Sequence, residues 1–218
     1  KDFEKLLQSL SIGYKGNLGN SHTMQAVLNN VKESEYDFLV NRILLRSMKQ
    51  AKYSPSNKGH FGLASRCYLH FTSPIRRYPD LICHRALKSV FDDGYTYKEE
   101  ELETMASYLS DRERVAMEAE REIEDRVRIL FMKDKTGEIY EGIISHITSY
   151  GFFVELFDVF VEGVVLLSEL YDDYYIFQED RFRLIGRRTK KIYRIGDKLK
   201  VRVVLADTEN KRLHFSLL

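Results

Sequence analysis

The hydrophobic pattern changes its period once along the chain, near residue 135. Before that point, apolar residues recur at intervals of three and four, which predicts amphipathic helices. Ser34, followed by acidic residues, is a candidate N-cap for one of them. The glycines and prolines of residues 51–74 indicate an irregular segment. We predict helices over residues 2–10, 22–32, from about 34 onward, 77–91 and 97–131.

After residue 135 the apolar residues come in short β-branched or aromatic runs separated by turns. Five such runs in a short stretch are typical of a small closed barrel. We therefore predict an α+β chain of two domains, one mainly helical over residues 1–134 and one β over residues 135–218. The predicted strands are 138–147, 152–157, 163–167, 198–206 and 211–217.

The longest predicted helix, residues 97–131, carries an apolar stripe with one acid at its margin. At ~100° per residue, Glu120 falls about 40° from Ala116 in the stripe, whereas Glu118 points away. A half-buried acid needs a partner, because an unpaired buried carboxylate is costly. Glu120 is therefore a candidate functional acid, and a structural salt bridge is the alternative. The stripe comprises Leu102, Met105, Ala106, Leu109, Ala116, Ala119, Ile123, Val127 and Leu130.

Charge is balanced over the whole chain but concentrated in one segment. The formal net charge of +1 gives no reason to expect a nucleic-acid partner. Residues 181–202, however, are rich in lysine and arginine and contain a single acid, Asp197. Such a stretch is typical of a phosphate-binding surface and equally of a solvated face of strands and loops.

Several protein classes fit the sequence poorly. No apolar run is long enough to span a bilayer, and the first residues do not resemble a signal peptide. The start at Lys1 is expected of an excised or processed fragment. Cys67 and Cys83 form no disulfide framework and fit a reducing cytosol, so a cytoplasmic location is expected. Zinc is disfavoured, because Cys83 and His84 would point ~100° apart on a helix.

One long motif points to a known family. The segment HFGLASRCYLHFTSPIRRYPD, residues 60–80, resembles the diagnostic motif of the ribonuclease II / ribonuclease R family. The preceding LLRSMKQAKYSPSNKGHFGLA and the later AEREIEDRVRILFMKDK are similar to other segments of that family. YGFFVELFDVFVEGVVLLSEL and RRTKKIYRIGDKLKVRVV resemble its S1 domain. The resemblance implies the C-terminal portion of an RNB exoribonuclease domain over residues 1–134, then an RNA-binding OB-fold over residues 135–218.

The resemblance also implies an activity and its residues. The family hydrolyses single-stranded RNA processively from the 3′ end to nucleoside monophosphates, with Arg76 and Glu120 at the positions beside the scissile phosphate. Pro74 holds the backbone extended, so that the arginines come near a helix N-terminus, which favours anions. Arg77 is a candidate RNA contact; alternatively it pairs with Asp80.

In the barrel, the resemblance implies stacking of bases on exposed rings and binding of the backbone by basic groups. Phe152 and Phe153 are neighbours on a strand and face opposite sides, so they are not both core residues. The family's usual histidine is Leu166 here, which removes one polar contact to RNA. The predicted RNA-binding residues, besides Arg77, are Tyr150, Phe153, Arg187, Arg188, Lys211 and Arg212, with Asp207 at a further family position.

The family's metal ligands are closely spaced aspartates that precede the part represented here. The pairs 92–93, 172–173 and 179–180 lie in turn-like contexts and lack that pattern. We therefore predict Mg²⁺ ligands upstream of the chain and none within it. The expected partners are single-stranded RNA and the N-terminal half of the same enzyme, with no membrane. By itself the chain should bind RNA without cutting it. The alternative hypothesis is a non-catalytic RNA-binding or assembly module.

Overall fold

The computed structural model describes residues 2–91, 96–159 and 161–218. The acidic pair at 92–93, predicted to lie in a turn, falls outside the described residues. Within the described part the helices are α1 (Asp2–Ser9), α2 (Ser21–Val31), α3 (Asp37–Ser47), α4 (Tyr78–Phe91) and α5 (Glu99–Met132). The strands are β1 (Ile139–Ile147), β2 (Gly151–Leu156), β3 (Glu162–Leu166), β4 (Tyr175–Gln178), β5 (Arg183–Gly186), β6 (Ile192–Arg194), β7 (Lys198–Asp207) and β8 (Arg212–Leu217).

The five predicted strands close into a barrel in the order β1-β2-β3-β8-β7, which confirms the α+β fold. All neighbouring pairs are antiparallel except β3 with β8, which is parallel. Gly163 allows a close approach inside the barrel, since a Cβ there would lie 2.6 Å from the ring of Phe215. The barrel core consists of inward-facing apolar side chains, among them Ile144, Phe152, Val154, Val165, Val201, Val203 and Phe215.

A second sheet, β4-β5-β6, was not predicted; its strands β5 and β6 lie within the basic stretch. Its strands have only three or four residues each, too few for a clear alternation of apolar and polar positions. It is held by buried rings: Tyr193 stacks on Phe152 at 5.1 Å and lies 5.3 Å from Tyr175. This sheet therefore packs against the barrel core through aromatic contacts.

Helix α3 begins at Asp37, so the predicted N-cap at Ser34 is wrong. The Ser34 hydroxyl instead donates to the carbonyl of Val31, 2.6 Å away, at the end of α2. The Asp37 carboxylate accepts from the backbone N–H of Glu33 at 2.9 Å. Both side chains therefore stabilise the turn between the two helices.

The chain divides into two compact units. The first comprises Lys1–Gly16, Gln25–Met48 and Glu122–Leu218; the second comprises Asn17–Met24 and Lys49–Arg121. In the first, helices α1 and α3 contribute a core of four leucines with Phe3, Val40 and Ile43. In the second, only Asp80 and Ile82 are buried among the described residues. The predicted domain boundary near residue 135 falls just after α5 and stays a prediction.

The C-terminal half of the α5 stripe is exposed, contrary to the expectation that Glu120 lies at the edge of a buried face. Glu120 itself is exposed, and Ile123, Val127 and Leu130 are 62%, 59% and 60% exposed. A helical wheel shows which residues share a face, but it does not show whether another element covers that face. No described helix is both long enough and apolar enough to cross a membrane.

The alternation along β2 gives a direct test of the barrel. Phe152→Ala should lower the free energy of unfolding by about 3–5 kcal/mol, because it leaves a cavity in the core. Phe153→Ala should cost clearly less, since that ring is only half-buried on the outer face. Guanidinium unfolding followed by circular dichroism measures both. Equal losses would place both rings in the core.

Candidate active-site turn and nucleic-acid face

The family motif forms a tight turn immediately before α4, which we call the 73–80 turn. The carbonyl of Ser73 accepts from the backbone N–H groups of Arg76 and Arg77, at 3.2 and 3.1 Å. One carboxylate oxygen of Asp80, in the first turn of α4, accepts from Ser73 N–H at 2.7 Å and from Arg77 Nη2 at 2.9 Å. Asp80 is fully buried, so it anchors the turn to the helix.

Asp80 is charged despite its burial. Burial acts to raise the pKa of Asp80, but the hydrogen bonds from Arg77 and from Ser73 N–H outweigh it and hold that pKa below its ordinary value. His70 Nδ1 lies 4.0 Å from the second oxygen of Asp80 and shares a hydrogen bond of 3.0 Å with the Tyr53 hydroxyl. Within the described residues that second oxygen and Arg77 Nε have no hydrogen-bond partner.

The two neighbouring arginines of the motif are placed differently. The guanidinium of Arg77 is bound to Asp80 and its side chain is 25% exposed. Arg76 is exposed, and no hydrogen bond or ion pair engages its side chain in the described part of the chain. The geometry gives Arg77 a structural partner, and its predicted contact with RNA stays a prediction. It leaves Arg76 available for an anion beside the N-terminus of α4.

Glu120 belongs to the same compact unit as Arg76. It is exposed on α5, and no ion pair to it occurs among the described side chains, whereas Glu118 accepts from Arg114 at 3.2 Å. An exposed carboxylate is solvated by water, so Glu120 does not need the partner expected for a half-buried acid. Its catalytic role stays a prediction.

Three rings meet on the outer face of the barrel, and we call them the ring cluster: His146, Tyr150 and Phe153. His146 stacks on Phe153 with 5.8 Å between ring centres, and Tyr150 meets Phe153 edge to face at 6.3 Å. Tyr150 is 56% exposed, while Phe152 points into the core, as the alternation predicts. His146 was not a predicted site residue. The one signal for it is its position on β1 opposite Phe153, which becomes visible only once the strand register is known.

A side chain from α3 reaches the ring cluster. Arg46 Nη1 donates to His146 Nδ1 over 2.7 Å, and Arg42 one turn earlier pairs with Glu155 at 2.9 Å. Burial, and then the positive charge of Arg46, lower the pKa of His146. The imidazole is therefore held in its neutral form.

The last hairpin places its basic residues beside a structured turn. The Asp207 carboxylate accepts from the backbone N–H groups of Glu209 and Asn210, both at 3.0 Å, so its role here is to close the turn. Lys211 Nζ lies 2.5 and 2.6 Å from the two oxygens of Glu122 on α5. Arg212, the other predicted RNA contact of this hairpin, is exposed.

Arg187 and Arg188 lie on the turn between β5 and β6, two strands that belong to the three-stranded sheet and not to the barrel. The Asp173 carboxylate organises that turn by accepting from Arg188 N–H at 3.0 Å and from Thr189 N–H at 2.6 Å. The hydrogen bonds from Thr189 are the main reason why the pKa of Asp173 is lowered. Both arginines are exposed. Their predicted role as RNA contacts stays a prediction.

The basic stretch is partly neutralised by acids from other parts of the chain. Arg194 pairs with Glu35 at 3.0 Å, and Lys200 pairs with Glu141 at 3.1 Å. These ion pairs favour the second interpretation of the basic stretch, a solvated face of strands and loops, for Arg194 and Lys200.

A metal centre needs several histidine, cysteine, aspartate or glutamate side chains close together. No group of three or more histidine, cysteine, aspartate or glutamate side chains in residues 2–91, 96–159 and 161–218 is placed to hold a metal ion. The described residues thus do not fit a metal centre.

Comparison with known proteins identifies the family. Residues 1–93 match the RNB domain and residues 133–218 match the S1 RNA binding domain. Ribonuclease R of Aquifex aeolicus is 43% identical over 99% of this chain, and that of Escherichia coli is 39% identical over 99%. The chain belongs to the ribonuclease R family. It covers 32% and 28% of those two relatives, so it spans about a third of their length.

Solved structures of the ribonuclease R family show the same fold. Apo RNase R of Mycoplasma genitalium has a TM-score of 0.86 at 32% identity, with 100% of this chain and 35% of that chain covered. The same enzyme in complex with ribose methylated single-stranded RNA has a TM-score of 0.85 with the same coverage. Yeast Ssd1, a pseudonuclease, shares the fold at 24% identity, with a TM-score of 0.63 over 84% of this chain and 24% of its own.

The buried carboxylate of the 73–80 turn predicts a pH-dependent stability. Asp80→Asn should lower the melting temperature by about 4 °C or more at neutral pH, because the charged bonds to Arg77 and Ser73 are weakened. Because the pKa of Asp80 is lower in the folded chain than in the unfolded one, the charged carboxylate stabilises the fold fully above the ordinary carboxyl pKa. The contribution is lost as the pH falls through the lowered value.

The difference in melting temperature between the unmodified chain and Asp80→Asn should therefore narrow in acid. Asp111→Asn on α5 is the matched control, since Asp111 is exposed and its ion pair with Arg114 spans 3.8 Å. Calorimetric scans over a pH series measure both variants. A constant difference at all pH values would show that Asp80 is not charged in the fold.

Proposed function

We propose that this chain is part of a 3′-to-5′ exoribonuclease that hydrolyses single-stranded RNA processively to nucleoside monophosphates. The 73–80 turn carries the proposal, because it binds the guanidinium of Arg77 to Asp80 and leaves Arg76 exposed beside a helix N-terminus. The names of the relatives and the RNB and S1 matches support it. A cytoplasmic location and the N-terminal half of the enzyme as partner belong to the same proposal.

In this proposal Arg76 stabilises the negative charge that develops on the phosphate during hydrolysis. A guanidinium presents a planar fork of N–H donors that suits phosphate oxygens, and the first backbone N–H groups of α4 add to the positive potential. Glu120 is the accompanying acid. A carboxylate is repelled by a phosphate unless a positive group lies between them, so Glu120 acts only in the complete enzyme.

The metal ions of the proposed reaction are Mg²⁺ with ligands from outside this chain. When bound, they would supply Lewis-acid stabilisation and activation of the attacking water. This chain contributes the anion-binding turn, and its barrel delivers the RNA strand. The chain alone is therefore expected to bind RNA without hydrolysing it.

The barrel is proposed to hold single-stranded RNA through the ring cluster. Two observations support it: Tyr150 is exposed, and Phe153 lies on the outer face where an S1-type barrel binds oligonucleotides. The complex of the Mycoplasma genitalium relative with single-stranded RNA is consistent with this use. The basic side chains of the last hairpin, Lys211 and Arg212, and the turn arginines Arg187 and Arg188 are the proposed phosphate contacts.

A second candidate is a non-catalytic RNA-binding or assembly module. Both candidates are compatible with the lack of a metal-binding cluster in the described residues, because the first one places the ligands outside this chain. The fold alone does not decide the question, since it also occurs in a pseudonuclease.

Activity of a completed enzyme distinguishes the two candidates. Fusing to this chain the part of a ribonuclease R relative that precedes the matched region should give Mg²⁺-dependent digestion of a single-stranded oligonucleotide. In that fusion, Arg76→Ala should lower the rate by about 10²-fold or more, the scale of losing one preorganised charge stabiliser. Arg112→Ala, an exposed arginine over Tyr108 on α5, is the control. A folded fusion that binds RNA but never cuts it would favour the module.

Binding by the 218-residue chain tests the barrel separately. Tyr150→Ala combined with Phe153→Ala should weaken single-stranded RNA binding by about 30-fold or more, because two rings are lost and each stacked base contributes about 1–3 kcal/mol. Fluorescence anisotropy at fixed salt measures the affinity. Unchanged affinity would remove both rings from the interface.

A further inference from the structure

A β-bulge in β1 places His146 on the outer face of the barrel. Strict alternation from the inward-facing Ile144 would also turn position 146 inward. The register instead shifts between Ile144 and His146, so that Ile144 and Ser145 are both buried and His146 faces outward opposite Phe153. The buried hydroxyl of Ser145 is satisfied, since it donates to the carboxylate of Glu162. The bulge is thus supported by its own polar contact.

The protonation state of His146 follows from its neighbours. Arg46 has only donors, so its bond to Nδ1 requires a lone pair there, and the remaining proton sits on Nε2. The charged groups facing the ring are Arg42 and Arg46 from α3 and Glu162 from β3. Burial and the two arginines lower the pKa of His146, and Glu162 opposes them. The imidazole of His146 is therefore uncharged, and it stacks on the ring of Phe153.

Arg46 differs from the other arginine of α3 at this surface. Arg42 pairs with Glu155 at 2.9 Å and lies 3.9 Å from Glu162. Arg46 is exposed, and no carboxylate lies within ion-pair distance of it in the described part of the chain. Among the described residues, its side chain bonds to a neutral imidazole alone, so its charge is not compensated. An unpaired guanidinium next to stacked rings suits a strand that carries both bases and phosphates.

We propose that helix α3 extends the RNA-binding face of the barrel, with His146 as a third stacking ring and Arg46 as a contact to the RNA backbone. This inference rests on the proposed binding of single-stranded RNA by the ring cluster. It adds two residues from different elements: the bulged strand β1 supplies a base contact, and α3 supplies a phosphate contact. Arg46 also positions His146, because its hydrogen bond fixes both the tautomer and the orientation of the ring.

Binding of a fluorescent oligoadenylate RNA to the 218-residue chain tests the proposal. His146→Ala should weaken binding by about 5-fold or more, and His146→Phe, which keeps a stacking ring, should retain affinity near that of the unmodified chain. Arg46→Ala should weaken binding and reduce the slope of log affinity against log salt by about 0.7, the effect of losing one phosphate contact on a single strand. Arg128→Ala, an exposed arginine paired with Glu124, should change neither.

The pH profile separates the positioning role of Arg46 from its charge. An NMR titration should show a higher pKa of His146 in Arg46→Ala, because a neighbouring positive charge and a bond to the neutral ring are removed. Binding by that variant should then depend on pH in the range where His146 titrates. A His146 titration unchanged by Arg46→Ala would overturn the positioning role.

The outcomes distinguish this inference from the proposed function. If His146→Ala and Arg46→Ala bind as tightly as the unmodified chain while Tyr150→Ala with Phe153→Ala binds weakly, the extension onto α3 is wrong and the barrel function stands. If the unmodified chain binds no single-stranded RNA, both are wrong. Circular dichroism spectra confirm that each variant retains its fold.

Discussion

Neighbouring residues of a β-strand face opposite sides of the sheet, and the first two strands of the barrel use this rule in different ways. In β2 it is followed, so Phe152 fills the core and Phe153 lies outside. In β1 it is broken once, by a bulge that turns His146 outward. The hydrophobic core and the outer ring cluster are therefore set by the same strand register, and a shift of either strand by one residue would remove both.

The second compact unit depends on polar contacts more than on a core. Its buried residues in the described part are Asp80 and Ile82, while Ile75, Val90 and Phe91 are 97%, 75% and 78% exposed. The shape of the 73–80 turn is therefore fixed mainly by the bonds that Asp80 accepts. The exposed apolar side chains accord with a chain that spans about a third of its relatives.

Much of the architecture was predictable, because long periodic segments carry strong signals. The five barrel strands and the long helix α5 follow directly from the apolar spacing, and the pairing of Arg77 with Asp80 was foreseen as one of two alternatives. The short strands β4 to β6 were not predicted, since three or four residues cannot display a period. Whether the α5 stripe is exposed depends on which other element packs over it, and a helical wheel does not show packing partners.

The ring cluster was only half predictable, for a similar reason. Tyr150 and Phe153 came from the family resemblance, whereas His146 depends on a bulge and Arg46 on how α3 packs against the barrel. The bulge belongs to the pairing of β1 with β2, and the bond from Arg46 joins residues 100 positions apart in sequence. Local sequence patterns contain no record of such contacts.

The salt bridge between Lys211 and Glu122 has a consequence for how the last hairpin would meet an RNA strand. Glu122 also accepts from Arg126 at 3.0 Å, so it keeps a cation if Lys211 leaves. A phosphate that binds Lys211 would have to displace the carboxylate of Glu122, so the new contact forms at the loss of an existing ion pair. Lys211 alone would then add little affinity. It would bind the phosphates mainly of RNA strands that other contacts already hold on the protein.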